Sequence, residues 1–93
     1  MLLSFIVPCY NEEGNVRLFY DAAVRAIREQ TDDFELIFIN DGSKDGTLTR
    51  LREIARESDA CVKVINFSRN FGKEAGIYAG LTHARGEYAC IID

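Results

Sequence analysis

Short apolar runs alternate along the chain with segments of helical pattern. The apolar runs cover residues 2–7, 34–40, 62–67 and 88–92. Each has the length of a β-strand and is apolar almost throughout, which is typical of parallel strands covered on both faces. Pro8 cannot donate a hydrogen bond to a neighbouring strand, so we expect the first strand to stop there. The pattern predicts four parallel strands.

The segments between these runs have apolar residues at the 3.6-residue spacing of a helix. The first helix is predicted to begin at Glu12, with Asn11 as its N-cap. The second covers residues 47–57, and the third covers residues 74–84 with Gly86 suited to its C-terminal cap. The apolar faces are, in order, Val16, Tyr20, Ala23, Val24 and Ile27; Leu48, Leu51, Ile54 and Ala55; and Ala75, Tyr78, Ala79 and Thr82.

The resulting order β-α-β-α-β-α-β predicts an α/β fold, a four-stranded parallel sheet with three helices distributed over both faces and right-handed crossovers. Ligands of such sheets bind in the crevice beyond the carboxyl ends of the strands. Polar residues without periodicity concentrate at those ends, in residues 8–12, 40–45 and 67–73 and at Asp93. The sequence therefore predicts a ligand site at this edge.

Composition narrows the class of protein. The 93 residues fit one domain, residues 1–93, and no apolar run reaches the roughly 18 residues that span a bilayer. The net charge is −4 and basic residues are scattered among acidic ones, so we expect no nucleic-acid partner. The N-terminus is typical of a first strand rather than a signal peptide, which favours a cytoplasmic location.

The cysteines indicate packing rather than chemistry. Cys9, Cys61 and Cys90 are odd in number, lie far apart and form no CxxC or Cys/His pair. All three lie in or beside apolar, strand-like runs. We expect them to be buried, reduced thiols.

Several familiar ligand motifs are excluded. Residues 8–12 contain no glycine, so a dinucleotide fingerprint is absent from the first loop. Gly72 and Lys73 resemble the end of a P-loop, but Glu74 stands where Ser or Thr is required. Residues 41–46 resemble the start of a calcium-binding EF-hand loop, but the bidentate Glu at its twelfth position is missing.

Segments at successive strand ends together resemble one family. They are Ile6-Val7-Pro8-Cys9-Tyr10-Asn11-Glu12-Glu13, then Ile39-Asn40-Asp41-Gly42-Ser43 with Asp45 and Thr47, then Ser68-Arg69-Asn70-Phe71-Gly72-Lys73. Over all 93 residues the chain resembles family 2 glycosyltransferases. It is most similar to the polyprenyl-phosphate branch, the bactoprenol glucosyltransferases and dolichol-phosphate mannose synthases, which share Ser-Arg-Asn-Phe-Gly and the later Ala79-Gly80-Leu81.

This resemblance implies a truncated, Rossmann-like GT-A fold, the nucleotide-binding half of the complete domain. It also implies Mg²⁺ or Mn²⁺ held by an Asp-x-Asp motif, of which Asp93 is the first carboxylate. The sequence stops inside that motif. The second carboxylate, the acceptor-binding region and any membrane segments are therefore expected downstream, and no catalytic residue is assigned within the chain.

The resemblance implies that a nucleotide sugar binds at the strand ends. The predicted contacts are Pro8, Tyr10, Asn11, Glu12, Asp41, Ser43, Arg69 and Lys73. Tyr10 is placed to stack on the base, or it belongs to a capped turn. Asp41 is placed to accept the imino hydrogen of uracil, or it forms an Asx-turn. Arg69 and Lys73 are placed to neutralise phosphate or hold the metal loop, or they form salt bridges at the surface; Asp45 is expected to cap the second helix.

The implied reaction is inverting transfer of a sugar from a UDP-glucose-like donor to a polyprenyl phosphate. The full-length protein is then expected at the cytoplasmic face of the membrane, in a cell-envelope pathway. A saccharide hydroxyl acceptor is the alternative and needs a downstream base carboxylate. A nucleotide-binding fragment without activity is the alternative from another class; a receiver domain is disfavoured because the first strand lacks an acidic cluster after it. Self-association is expected because the edge of the truncated sheet is uncovered.

Overall fold

The computed structural model describes residues 1–92. Its strands and helices are β1 (Leu3–Cys9), α1 (Val16–Arg28), β2 (Phe34–Asp41), α2 (Thr47–Glu57), β3 (Cys61–Phe67), α3 (Lys73–His83) and β4 (Tyr88–Ile91). The predicted number, type and order of elements are confirmed. Asp93, the predicted metal ligand, lies outside the described residues. In the described part of the chain, no helix has both the length and the apolar character needed to cross a bilayer.

The strands form one parallel sheet in the order β3-β2-β1-β4. The central β2 is buried over its whole length. One face of the sheet packs against α1 and α2 in a core built from Val7, Cys9, Val16, Tyr20, Val24, Leu36, Phe38, Leu51 and Ile54. The other face, with Ile6, Ile37 and Ile39, is covered by α3. Because all strands run the same way, their carboxyl ends meet at one edge.

The sequence predicted that the first strand stops at Pro8, and this prediction is wrong. The strand continues to Cys9, and Pro8 is paired in register with Ile39 of β2. Ile6 accepts a hydrogen bond from Ile92 on the β4 side, and Pro8, two residues further, faces the same side. β4 ends at Ile91, so the missing N–H of Pro8 leaves the pairing with β2 intact.

The predicted start of the first helix is wrong. Residues 12–15 form a turn, and α1 begins at Val16 with Asn15 as its N-cap. Asn11 is not a cap, because its backbone is in the left-handed region with φ 52°. The buried face of the helix, with Val16, Tyr20 and Val24, agrees with the prediction.

The predicted buried face of α3 is also wrong. Gly76 and Gly80 are the buried residues, whereas Tyr78 is 74% exposed and Thr82 is exposed. A Cβ at position 80 would lie 2.4 Å from Ile6 Cγ2, so the glycines let the helix approach the sheet closely. The helix ends with Ala84 as its C-cap, not Gly86. Gly86 instead donates its N–H to Ser4 Oγ at 2.8 Å.

The expectation of three buried thiols holds for one. Cys9 is buried in the central β1, whereas Cys61 and Cys90 are exposed. Both exposed cysteines lie in edge strands, β3 and β4, where neighbouring structure covers less of the sheet.

A buried charge network joins the strands at the opposite, amino-terminal edge. Glu35 of β2 is 1% exposed, and its Oε1 lies 2.7 Å from Lys63 Nζ of β3. Its Oε2 accepts hydrogen bonds from Ser4 Oγ at 2.6 Å and from the Arg85 N–H at 2.7 Å. Burial alone would raise the pKa of Glu35, but these partners outweigh it and hold the pKa below its ordinary value of 4.5.

Candidate functional site

A cleft of about 490 Å³ opens at the carboxyl ends of β1 and β2 and the start of α3. Its lining residues are Pro8, Cys9, Tyr10, Glu12, Asp41, Asn70, Gly72 and Lys73. Five of the predicted nucleotide contacts are thus brought together: Pro8, Tyr10, Glu12, Asp41 and Lys73. Asn11, Ser43 and Arg69 are not among the lining residues. The cleft lies where ligands of parallel α/β sheets bind.

Asp41 organises the loop that follows β3. The residue is 3% exposed, and its Oδ1 accepts the Phe71 N–H at 2.7 Å. Its Oδ2 accepts the Gly72 N–H at 3.0 Å and Asn70 Nδ2 at 3.2 Å. A carboxylate oxygen can accept two hydrogen bonds, and among residues 1–92 Oδ1 accepts one, which leaves one acceptor position within this part of the chain. Asp41 therefore both shapes the loop and retains the capacity to accept one more donor.

The loops after β2 and β3 touch at Gly42. Its φ is +66°, which glycine adopts without cost. A Cβ there would lie 2.1 Å from the Arg69 carbonyl carbon and 2.2 Å from the Asn70 nitrogen. Only glycine allows the two backbones this approach, which brings the Asp41 carboxylate within reach of the amides of residues 71 and 72.

Asn11 ties the loop after β1 to the loop after β2. Its backbone N–H donates to Ser43 Oγ at 2.9 Å. In return, its side-chain Oδ1 accepts the Lys44 N–H at 2.8 Å. The two predicted nucleotide contacts that do not line the cleft on this side, Asn11 and Ser43, are therefore hydrogen-bonded to each other.

A second set of hydrogen bonds extends this connection to the start of α2. The Glu12 N–H donates to Thr47 Oγ1 at 2.9 Å. The Glu13 N–H donates to Asp45 Oδ2 at 3.3 Å, and the Gly46 N–H donates to Glu13 Oε1 at 2.9 Å. We call this set and the Asn11 bonds the loop clamp. It fixes the backbone directly after Tyr10 and on both sides of Glu12.

The sequence predicted that Asp45 caps α2, and this prediction is wrong, because the N-cap is Gly46, without a side-chain cap bond. Asp45 Oδ1 accepts the backbone N–H of Thr47, the first residue of the helix, at 3.0 Å. The hydrogen bond from the Thr47 hydroxyl is the main reason that the pKa of Asp45 is lowered. The carboxylate is therefore charged near the helix N-terminus, where negative charge is stabilising.

Arg69 lies next to the cleft on an aromatic stack. Its guanidinium carbon is 4.6 Å from the centre of the Phe71 ring, within cation–π range. Phe71 in turn meets Phe67 edge to face, with ring centroids 5.5 Å apart. Lys73, the first residue of α3, reaches the cleft directly. Positive charge is therefore present in and beside the cleft.

Cys9 is the thiol in the cleft wall. Burial, and to a smaller extent the charge of Glu12, raises the pKa of its thiol to about 12. The group therefore stays protonated at neutral pH, and a protonated thiol is neither a nucleophile nor a strong metal ligand. Cys9 acts as a small apolar side chain.

The described residues do not complete a metal centre. Among residues 1–92, no three or more His, Cys, Asp or Glu side chains converge as metal ligands would. The predicted ligand Asp93 lies beyond them. The carboxylates of the cleft have other partners: Asp41 accepts the loop bonds described above, and Glu12 Oε2 accepts a hydrogen bond from Asn15 Nδ2 at 3.1 Å.

Some residues of the site were not recognised as functional from the sequence. Asn70 and Gly72 line the cleft, and Glu13 belongs to the loop clamp. All three fall inside the segments that carry the family resemblance, so that resemblance was the signal for them. Their tasks depend on which loop lies opposite, which the sequence does not state.

Comparison with known proteins places the chain in a family. The sequence model of glycosyl transferase family 2 matches residues 4–93. The chain is 45% identical over 92 residues to a putative glycosyltransferase, CsbB, of Bacillus subtilis, covering 99% of the chain and 28% of the relative. It is 44% identical over 94 residues to a bactoprenol glucosyl transferase of Shigella phage SfV, covering 100% of the chain and 30% of the relative.

Solved structures agree with the fold. Staphylococcus aureus TarS 1-349 in complex with UDP superposes with a TM-score of 0.78 at 26% identity, over 100% of this chain and 27% of that one. The mannosyltransferase PcManGT of Pyrobaculum calidifontis in complex with GDP-Man and Mn²⁺ gives a TM-score of 0.72 at 28% identity, over 91% and 25%. The expected Rossmann-like GT-A arrangement is confirmed. The chain spans less than a third of the length of these relatives.

Proposed function

The chain belongs to glycosyl transferase family 2, and from this premise we propose that it is the nucleotide-sugar-binding part of a hexosyltransferase. The observation that carries the proposal is the cleft itself, which gathers an exposed aromatic ring, a carboxylate and a lysine at the carboxyl edge of the sheet. A nucleotide sugar presents the complementary groups, which are a base, hydrogen-bond donors and a diphosphate.

The base is proposed to stack on Tyr10, whose side chain is exposed at the cleft. The remaining acceptor position of Asp41 Oδ1 suits an imino hydrogen. Pro8 and Glu12 offer a carbonyl and a carboxylate for the ribose or the base edge. Lys73 supplies positive charge for the diphosphate from within the cleft, and Arg69 supplies it from the adjacent loop.

UDP is the proposed nucleotide and a polyprenyl phosphate the proposed acceptor. The name of the phage relative, a bactoprenol glucosyl transferase, and the UDP complex of TarS support this pair. A phosphate acceptor is mostly dianionic at neutral pH and needs little help from a base. We propose direct displacement with inversion by the full-length protein at the cytoplasmic face of the membrane, with residues 1–93 alone inactive.

A divalent cation, Mg²⁺ or Mn²⁺, remains part of the proposal. The PcManGT complex contains Mn²⁺. A hard cation neutralises charge on the leaving diphosphate. The ligand proposed within this chain is Asp93, and no step of the mechanism is assigned to the described residues through a metal.

Calorimetric titration of the full-length protein with UDP in Mg²⁺ buffer tests the site. Replacing Tyr10 by Ala removes the proposed stacking surface and is expected to weaken UDP binding by about 1–3 kcal/mol, since stacking on an aromatic side chain contributes that much. Tyr78→Ala is the matched control, because Tyr78 is an exposed tyrosine on α3 that does not line the cleft.

The control variant should bind UDP as the unsubstituted protein does. GDP and NAD serve as competing ligands. Binding of NAD as tight as that of UDP, or equal losses in both variants, would contradict a uridine-nucleotide site at Tyr10.

A further inference from the structure

Two members of the loop clamp, Asn11 and Ser43, lie outside the lining of the cleft. The Asn11 side-chain oxygen points to the Lys44 N–H, and the Ser43 oxygen receives the Asn11 N–H. These polar atoms are engaged in hydrogen bonds between the two loops. The surface of the cleft is formed by their neighbours Tyr10, Glu12 and Asp41 instead.

The conformation of Asn11 makes the clamp specific. A φ of 52° is uncommon for a residue with a side chain, and asparagine tolerates it better than most. This backbone geometry turns the N–H toward Ser43 while the side chain reaches Lys44. A residue with a shorter or apolar side chain cannot make both bonds.

We propose that Asn11 and Ser43 are positioning residues for nucleotide binding, which hold Tyr10 and Glu12 in place without touching the ligand. The inference rests on the proposed function and adds to it the residues that preorganise the site. With the clamp formed, the loop is ordered before the nucleotide arrives. With it broken, ordering must occur on binding and reduces the affinity.

Two variants break different bonds of the clamp. Asn11→Gly keeps access to the positive φ but removes the acceptor for the Lys44 N–H. Ser43→Ala removes the acceptor for the Asn11 N–H, and Ser43→Thr keeps a hydroxyl there. We expect the first two to weaken UDP binding by about five- to tenfold in the full-length protein, the effect of one lost hydrogen bond, and Ser43→Thr to restore it to within about twofold.

A structural control lies at the other edge of the sheet. Ser4→Ala removes hydrogen bonds with Glu35 and Gly86, far from the cleft loops. It should lower the melting temperature while the Kd for UDP stays unchanged. The same comparison for Asn11→Gly separates positioning from mere stability, because a residue that contributes to stability alone leaves Kd unchanged.

The outcomes distinguish the two proposals. If the unsubstituted protein binds UDP and the Asn11→Gly and Ser43→Ala proteins bind it equally well despite lower melting temperatures, the positioning role is overturned and the proposed function stands. If the unsubstituted protein binds no UDP, the proposed function fails and takes this inference with it. Weakened binding in both variants with recovery in Ser43→Thr supports the role.

Discussion

Two glycines at the cleft both have positive φ but differ in the space at the Cβ position. Gly42, at φ +66°, also has no space for a side chain, because backbone atoms of residues 69 and 70 fill the Cβ position. Gly72, at φ +99°, has open space at that position. A side chain at position 72 would therefore cause backbone strain alone, whereas one at position 42 would cause strain and a steric clash.

Gly42→Ala is expected to reduce the free energy of unfolding by more than about 3 kcal/mol, because strain and a backbone clash add together. Gly72→Ala should cost about 1–3 kcal/mol, since only the strained backbone contributes. Chemical denaturation of the two variants measures the difference. Equal losses would show that the contact between the two loops gives way without cost.

At this scale the sequence predicted which residues meet at the cleft better than which hydrogen bonds they form. Tyr10, Asp41 and Lys73 were correctly expected at one cleft from their positions after strands. Asn11 and Ser43 were expected there too, but their polar atoms meet each other across two loops. Spacing along the chain does not show which loops become neighbours, so hydrogen bonds between two loops could not be predicted from it.

At the scale of elements, the apolar pattern was sufficient where burial depends on large side chains. The strand positions and the buried faces of α1 and α2 follow from it, with Val16, Leu51 and Ile54 buried as predicted. The predicted cover on both faces is wrong for β4, whose four residues are exposed. The pattern also failed for α3, whose contact with the sheet is made by glycines. A hydrophobic pattern is read from apolar side chains. Glycines that pack a helix against a sheet have none, so the pattern cannot show which face of α3 is buried.

The packing of α3 can be tested at Gly80. Alanine favours a helix by about 1 kcal/mol over glycine, but its Cβ would lie 2.4 Å from Ile6 Cγ2. The strain of overpacking costs about 1–3 kcal/mol, so we expect a net loss of stability.

Gly14→Ala is the matched control, because the Cβ position there has nothing within 4 Å. It should change the free energy of unfolding by less than about 0.5 kcal/mol. A stabilised Gly80→Ala protein in thermal denaturation would mean that α3 can move away from β1 at no cost.

At the scale of the whole molecule, Glu35 joins parts of the chain that are distant in sequence. It connects β1, β2 and β3, and it accepts a hydrogen bond from the backbone N–H of Arg85 in the segment after α3. The sequence placed it in an apolar strand and gave no reason to expect a buried charge. The reason is tertiary, since Lys63 and two hydrogen-bond donors converge on the carboxylate.

This network makes stability depend on pH. The pKa of Glu35 is lower in the folded protein than the ordinary 4.5, so its contribution is present above pH 4.5 and is lost as pH falls through the folded pKa. Glu35→Gln should therefore be less stable than the unsubstituted protein by about 1–3 kcal/mol at pH 7. The difference should narrow as the pH is lowered below 4.5.

Urea denaturation between pH 3 and pH 7 measures this difference, in about unit steps. Glu53→Gln, which disrupts an exposed pair with Arg50, is the control and should cost less than about 1 kcal/mol. A Glu35→Gln difference that is constant over the whole range would rule out a charged Glu35 as its source.

The strand order has a consequence for how the chain is made. β1 lies inside the sheet between two partners at very different distances along the chain. β2 follows it closely, whereas in β4 Tyr88 pairs with Leu3. A ribosome adds about 5–20 residues per second. The residues between β1 and β4 therefore take several seconds to synthesise, and during that time one side of β1 has no paired strand. During synthesis, β1 emerges before β2 but gains its second hydrogen-bonded neighbour after β2 has gained its own.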